Sequence, residues 1–186
     1  MKRAGFVATV TAAFFSPALF GMIKDERTRS GGFKIDAGEG RLHGHLKLKG
    51  VNSNIIDLKI SGKDTGGDLA IFEQTSITMG RGTPLHVHYS QDEIFYVLNG
   101  KYYFQVGDKK AWLTEGDSIF LPRNVPHAWT QVSEHGKMTI TFQPAGMMEE
   151  FFVKMSMLHD NPPEDEIARI FVEHNMKVVG PPLKVT

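Results

Sequence analysis

The sequence predicts an all-β domain, either a sandwich or a small closed barrel, with a helical extension at its carboxyl end. Short apolar runs separated by turn residues recur over residues 31–146, which is typical of such all-β domains. The pair Asn99-Gly100, which lies between two of these runs, is the strongest two-residue hairpin signal. Helical spacing of apolar residues begins only after Pro144.

Three strands are predicted in the first part of this domain. Residues 42–49 alternate apolar and polar side chains, so His43 and His45 are expected to face solvent together with the neighbouring lysines. Residues 54–60 and 68–78 form the next two strands, because the turn-rich segment SGKDTGG separates them.

A ladder of antiparallel hairpins is predicted over the second part of the domain. The apolar runs alternate with turn pairs such as Asn99-Gly100 and Gly107-Asp108. Such a ladder favours a sandwich or barrel over repeated βαβ units. The predicted strands span residues 93–98, 101–106, 109–114, 117–122, 128–132 and 137–143.

Residues 147–186 are predicted to form a helical extension that packs on the barrel. Residues 147–158 carry apolar side chains at helical spacing. Asn161 is the expected N-cap of a second helix, with Pro162 and Glu164 in its first turn. The apolar stripes contain Phe151, Phe152, Met155 and Leu158 in the first helix, and Ile167, Ile170, Phe171 and Val178 in the second, which ends at Gly180.

Residues 1–30 are predicted to be a targeting segment followed by a linker. Lys2 and Arg3 precede an uncharged, largely apolar stretch at residues 4–23, which is the layout of a secretory signal. The stretch is also long enough for a retained membrane anchor, and a soluble extension packed on the barrel is the third interpretation. We therefore expect export to the periplasm or the cell exterior, or a cytoplasmic protein if the segment is not a signal. A membrane is an expected partner only if the segment is retained as an anchor.

Composition excludes several classes of function. The 21 basic and 21 acidic residues balance, so we expect no attraction to nucleic acid. The 186-residue chain contains no cysteine, which excludes disulfides, thiolate metal sites and cysteine nucleophiles. No serine lies in a nucleophile-elbow motif, and no glycine-rich phosphate loop joins a strand to a helix. Any metal bound by this chain must have nitrogen and oxygen ligands.

Four residues form a candidate metal site. His86 and His88 point to the same side of a strand, because side chains alternate along it. Glu93 begins the return strand after a short polar turn, and His127 begins another strand after a proline-bounded turn in which Asn124 best tolerates a positive φ. Three imidazoles and one carboxylate suit a divalent first-row transition metal (Fe, Mn, Ni, Co, Cu or Zn), with positions left for water or a small-molecule substrate.

The spacing of these residues resembles the two motifs of the cupin family. The resemblance covers residues 80–131, with asparagine at position 124 where the family usually has glycine and glutamine at position 131 where it usually has asparagine. It implies the cupin fold, a double-stranded β-helix or jelly-roll barrel. The first motif is matched by Gly80, His86, His88, Glu93 and Gly100, and the second by Gly116, Pro122 and His127.

More narrowly, the chain is similar to the quercetinase-like single-domain cupins. This similarity implies a homodimeric, metal-dependent dioxygenase for a small phenolic or enolisable substrate. Glu93 would be a metal ligand, the base that takes the substrate's hydroxyl proton, or both. A non-oxidative isomerase or lyase and a non-catalytic module that binds a metal or small molecule are the two alternatives. The segments that carry the similarity are residues 64–73, 84–107, 120–129, 144–152 and 180–183.

Five further residues are candidates for the lining of a substrate pocket. Strand alternation puts two of them on the face of Glu93 and two on the face of His127. The apolar ones are either plain core, which is favoured for Val97, or the wall of a pocket for an aromatic substrate. Gln131 and Tyr103 are candidates for hydrogen bonds that orient the metal ligands. The five are Phe95, Val97, Tyr103, Trp129 and Gln131.

Overall fold

The computed structural model describes residues 31–185, and the predicted targeting segment lies outside them. Within this part of the chain, no helix is long and apolar enough to cross a membrane. The strands are β1 (His45–Lys47), β2 (Ile55–Ile60), β3 (Ala70–Ser76), β4 (Pro84–His88), β5 (Asp92–Asn99), β6 (Lys101–Val106), β7 (Lys109–Thr114), β8 (Ser118–Leu121), β9 (His127–Gln131), β10 (Gly136–Gln143) and β11 (Met176–Pro182). The helices are α1 (Met148–Ser156) and α2 (Glu164–Glu173).

Two antiparallel sheets enclose the core. Among the described residues, one sheet has the strand order β1-β2-β3-β10-β5-β8, and the other has the order β11-β4-β9-β6-β7. Buried and more exposed side chains alternate along β3 and β5, as the period of two in a strand requires. Fully buried side chains from both sheets, including Phe72, Phe95, Phe104 and Met138, meet between them. The predicted all-β fold with C-terminal helices is confirmed.

The first predicted strand is shorter than expected. Leu42 has a φ of 66° and lies in a turn, so β1 contains only residues 45–47. His43 and His45 are exposed, as the alternation predicted. The ring of His45 also contacts a buried carboxylate, with Nδ1 2.7 Å from Asp57 Oδ1.

The turn at Asn99-Gly100 does not join a hairpin. β5 pairs with β8 and β10 in the first sheet, whereas β6 pairs with β7 and β9 in the second. The inward faces of β5 and β6 meet across the core instead, with the ring centroids of Phe95 and Phe104 5.1 Å apart. An Asn-Gly pair reverses the chain direction, but burial of the two apolar faces decides whether the flanking strands pair.

The two helices pack on the barrel through aromatic rings. Phe152 of α1 contacts Phe72 of β3, with ring centroids 4.9 Å apart in an edge-to-face arrangement. Phe151 of α1 contacts Phe171 of α2 at 5.0 Å. Edge-to-face pairs of this kind add about 0.5–1.5 kcal/mol each to the burial of the rings. These aromatic contacts therefore stabilise the packing of α1 on the barrel and of α2 on α1.

The predicted second helix is wrong at both ends. α2 has no side-chain cap, so Asn161 is not its N-cap, and the helix ends at Glu173. The chain then turns at Asn175, whose φ is 61°, and continues as β11. Val178, which was assigned to the helix face, lies opposite His86 in the ladder between β11 and β4. Pairing with β4 satisfies the backbone groups on the side of β4 that β9 leaves open.

Candidate metal centre

Four buried side chains from three strands meet inside the barrel. His86 and His88 come from β4, Glu93 from β5 and His127 from β9. His127 lies directly opposite His86 in the pairing of β4 with β9, and β5 belongs to the facing sheet. One ligand atom from each residue lies within 4.8 Å of those of the other three. The structure thus brings all four sequence-predicted ligands together.

The carboxylate lies close to two of the imidazoles. Glu93 Oε2 is 3.1 Å from His127 Nε2 and 3.9 Å from His88 Nε2. The ring centroid of His86 is 4.5 Å from that of His127. Ligands bound at about 2.0–2.2 Å to one ion have neighbouring donor atoms roughly 3 Å apart. The spacing of these donor atoms therefore fits four ligands of one ion.

Backbone carbonyls set the tautomers of two of the histidines. His86 Nδ1 lies 2.9 Å from the carbonyl oxygen of Pro84, and His127 Nδ1 lies 3.0 Å from that of Val125. A carbonyl oxygen only accepts, so each Nδ1 carries the hydrogen and donates it. In the neutral rings, both Nε2 atoms then have a free lone pair, and the four ligand atoms lie within 4.8 Å of one another, which is the arrangement of metal-binding imidazoles.

Unpartnered polar atoms at the site fit a bound cation. Among the described residues, Glu93 Oε2, His127 Nε2 and His88 Nδ1 are buried without a hydrogen-bond partner. A buried polar atom without a partner costs roughly 1–3 kcal/mol, and a charged one costs more. When the His127 ring is neutral, its Nε2 lone pair and the Glu93 oxygen lie 3.1 Å apart and repel unless a positive charge lies beside them. A divalent metal ion would provide that charge.

Burial keeps two of the imidazoles neutral. Desolvation, followed by the proximity of His127 and then His88, lowers the pKa of His86 well below its ordinary value of 6.5. Desolvation, followed by the proximity of His127, lowers the pKa of His88 to about 3. Both rings therefore have a free lone pair at neutral pH, which a metal ligand requires.

The turn between β8 and β9 is tied to the neighbouring strands. Asn124 has a φ of 64°, as the sequence predicted, and its backbone N–H donates to the carbonyl oxygen of His88 at 2.7 Å. Arg123 donates to the Asp92 carboxylate from its backbone nitrogen at 2.8 Å, from Nε at 3.1 Å and from Nη2 at 2.6 Å. These bonds hold the start of β5 and the end of β4 against the turn that leads into β9.

A small cavity of about 50 Å³ with mainly aromatic and aliphatic walls adjoins the site. Two of the predicted pocket residues, Phe95 and Trp129, line it. Helices α1 and α2 contribute Phe151 and Phe171, and the ring of Phe171 lies edge-on to that of His86 with centroids 5.4 Å apart. Helical spacing predicted only that these rings pack on the barrel. Their place beside His86 depends on how the helices fold back, which spacing does not encode.

Two other predicted pocket residues do not line this cavity. Val97 is fully buried in the core, opposite Met138 of β10. Tyr103 faces the other side of β6, where its ring lies 4.6 Å from that of Trp112. The residues before and after Tyr103 are fully buried and take the inward positions, so alternation turns Tyr103 away from the site.

Gln131 is buried, but its amide binds backbone groups rather than a metal ligand. Its Oε1 accepts a hydrogen bond from the backbone N–H of Thr78 at 3.1 Å. Its Nε2 donates to the carbonyl oxygens of Ser133 and Glu134, both at 2.9 Å. Gln131 therefore fastens the segment after β3 to the turn after β9, and the predicted role beside the ligands is wrong.

The family model for the Cupin domain matches residues 75–142, which contain all four candidate ligands. This part of the chain is a cupin domain. The crystal structure of an RmlC-like cupin from Shewanella frigidimarina has the same fold, with a TM-score of 0.50 and 21% sequence identity, and covers 62% of this chain and 93% of that chain. The resemblance to the cupin family is confirmed, and the narrower likeness to quercetinases stays a prediction.

Two curated relatives match the cupin domain over short stretches. An uncharacterized protein of Methanocaldococcus jannaschii is 35% identical over 51 residues, which are 27% of this chain and 41% of the relative. An uncharacterized protein of Streptomyces coelicolor is 27% identical over 56 residues, which are 30% of this chain and 53% of the relative. The matches thus span about half the length of these relatives or less.

Proposed function

We propose that the cupin domain is a metal-dependent dioxygenase that acts on a small phenolic or enolisable molecule. The observation that carries the proposal is the close approach of Glu93 Oε2 to His127 Nε2, 3.1 Å apart, both buried and without a hydrogen-bond partner in residues 31–185. Two acceptors in this position favour a cation beside them. Three imidazoles and a carboxylate are a ligand set that suits a divalent first-row metal.

The side chains at the site have distinct roles in this reaction. His86, His88, Glu93 and His127 would hold the metal, which would supply the Lewis acidity and redox chemistry that a reaction with dioxygen requires. Glu93 Oε2 accepts the proton of the substrate's hydroxyl or enol, because no group among the described residues donates to this oxygen. Phe95 and Trp129 exclude water and contact the flat face of the substrate. The electron-rich anion is thereby generated where solvent does not protonate it again.

The size of the cavity bears on the substrate. Its volume is about 50 Å³, whereas pockets for drug-sized ligands have about 300–1,000 Å³. This supports a substrate with a single ring or a short enolisable chain. A flavonol, which has three rings, fits only if α1 and α2 move away from the cavity.

The proposal is tested by measuring dioxygen uptake by the metal-loaded protein with catechols, small 1,3-diketones and flavonols. Replacing Glu93 with glutamine keeps the shape of the side chain but removes the base. We expect Glu93→Gln to lower kcat/KM by about 10²–10⁴-fold, the usual contribution of a general base. Metal content is measured in parallel, because Glu93 is also a ligand. Glu115→Gln, which changes an exposed glutamate in a turn, is the matched control and should leave uptake unchanged.

Absence of uptake with every substrate class, or uptake that Glu93→Gln leaves unchanged, would overturn the proposal. Turnover of the same compounds without dioxygen would instead identify an isomerase or lyase. Tight binding without any product would identify a binding module. The three outcomes are distinguished by product analysis with and without oxygen.

A further inference from the structure

The three imidazoles of the site differ at the nitrogen that faces away from the carboxylate. His86 and His127 each donate this Nδ1–H to a backbone carbonyl oxygen, at 2.9 and 3.0 Å. His88 Nδ1 is buried and has no hydrogen-bond partner among the described residues. Metal-binding histidines nearly always donate the second nitrogen to a carbonyl, carboxylate or water, which fixes the tautomer and orients the ring. The orienting hydrogen bond from Nδ1 is thus present in His86 and His127 and missing in His88, within the part of the chain that the structure describes.

Gln91 has a side-chain oxygen that can accept a hydrogen bond from His88 Nδ1. It lies three residues after His88, in the turn between β4 and β5, and its side chain is almost fully buried. Its Oε1 is also without a hydrogen-bond partner. The side chain lies within hydrogen-bonding reach of the His88 ring. A buried donor position and a buried acceptor therefore lie side by side, and neither makes a well-formed hydrogen bond among the described residues.

Packing against Gly146 holds the Gln91 side chain in place. A Cβ atom added to Gly146 would lie 1.6 Å from Gln91 Nε2 and 2.6 Å from its Cδ, so the amide occupies the space that a larger residue would fill. Gly146 has a φ of 54°, a conformation that glycine adopts without strain. The amide nitrogen is therefore turned toward the segment that leads into α1, which leaves Oε1 as the end available to His88.

We propose that Gln91 is the positioning residue of His88. Its Oε1 accepts the Nδ1–H of His88 when the site holds its metal, so that the Nε2 lone pair points at the ion. This inference rests on the metal binding of the proposed function and adds a fifth residue to the site. The ligand it serves is the divalent metal itself, so its test requires no substrate.

The test is a Co²⁺ titration of metal-free protein, with the dissociation constant measured against a competing chelator and the ligand geometry followed by the visible absorption of Co²⁺. Gln91→Met keeps the size of the side chain but removes the acceptor, and Gln91→Glu keeps an acceptor. Loss of an outer hydrogen bond to a ligand typically weakens metal binding about 10–100-fold. We expect that loss and an altered spectrum for Gln91→Met, and affinity near or above wild type for Gln91→Glu.

A matched control separates positioning from general destabilisation. Gln131→Met also removes a buried glutamine amide that binds only backbone groups. We expect it to lower the urea midpoint of unfolding while leaving the Co²⁺ affinity within about two-fold, since its amide contacts no metal ligand. If both variants weaken Co²⁺ binding equally, or if Gln91→Met binds like wild type, Gln91 is not a positioning residue.

Gly146→Ala tests the same interaction in a second way, because it leaves Gln91 unchanged. The added methyl group displaces the Gln91 amide and should reproduce most of the loss of Co²⁺ affinity. Combined with Gln91→Met, it should weaken binding little further, because both changes remove the same interaction. Fully additive losses would contradict the inference. Failure of the wild-type protein to bind Co²⁺ would instead contradict the proposed function, so the two failures are distinguishable.

Discussion

Acidification from pH 7 to pH 5 should lower the unfolding free energy of the metal-free protein. Protonation of His88 in the unfolded chain should account for about 2 kcal/mol of that loss. Burial, followed by the proximity of His127, lowers the pKa of His88 from its ordinary 6.5 to about 3. The imidazole therefore protonates in the unfolded chain below about pH 6.5 but stays neutral in the folded protein. Its contribution to stability is fully present above pH 6.5 and decreases as the pH falls toward 3. At about 1.4 kcal/mol per unit, acidification to pH 5 removes about 2 kcal/mol of the unfolding free energy.

This prediction is checked by urea unfolding of chelator-treated protein at several pH values between 7 and 5. His88→Leu has a similar volume and no titrating group, so its loss of unfolding free energy should be smaller than that of wild type by about 2 kcal/mol. The exposed His135, replaced by glutamine, is the control and should leave the loss unchanged. Parallel pH profiles for wild type and His88→Leu would refute the reasoning.

Three further changes have expected outcomes. Phe72→Ala should lower the unfolding free energy by about 3–5 kcal/mol in urea titrations, because the ring is fully buried, whereas exposed Phe120→Ala should change it by less than about 1 kcal/mol. Asp92→Asn should cost about 0.2–1 kcal/mol. Arg123 lowers the pKa of Asp92 in the folded protein, so this stabilisation is fully present above about pH 4, the range of an unfolded aspartate, and should be lost progressively in unfolding curves as the pH falls below it. Deletion of residues 176–186 should abolish Co²⁺ binding in chelator competition, because it exposes the edge of the strand that carries two ligands.

The candidate ligands could be predicted from the sequence because each depends on local geometry. His86 and His88 share a face since they are two residues apart on a strand, and Asn124 takes the positive φ that its turn requires. The start of a strand after a short polar turn was enough to place Glu93 near them. These features need only strand alternation and turn chemistry, which act over a few residues.

The errors concern pairings that local patterns do not specify. Asn99-Gly100 reverses the chain, yet the flanking strands join different sheets because their apolar faces meet across the core. Val178 fits the apolar spacing of a helix, but it lies in β11, because this segment pairs with the side of β4 that β9 leaves unpaired. Tyr103 was placed inward, although its two neighbours occupy the inward positions of β6. The role inferred for Gln91 had no sequence signal, because it depends on a fold that brings Gly146 against the turn after β4.

The position of β4 within its sheet bears on when the proposed metal site can form. Both neighbours of this strand, β9 and β11, lie later in the chain, so the segment with His86 and His88 leaves the ribosome before either of them. A nascent chain at that stage has no enclosed lumen in which an ion can be captured. If the site binds a metal as proposed, loading would follow translation, and the metals available in the compartment in which folding finishes would help to decide which element is bound.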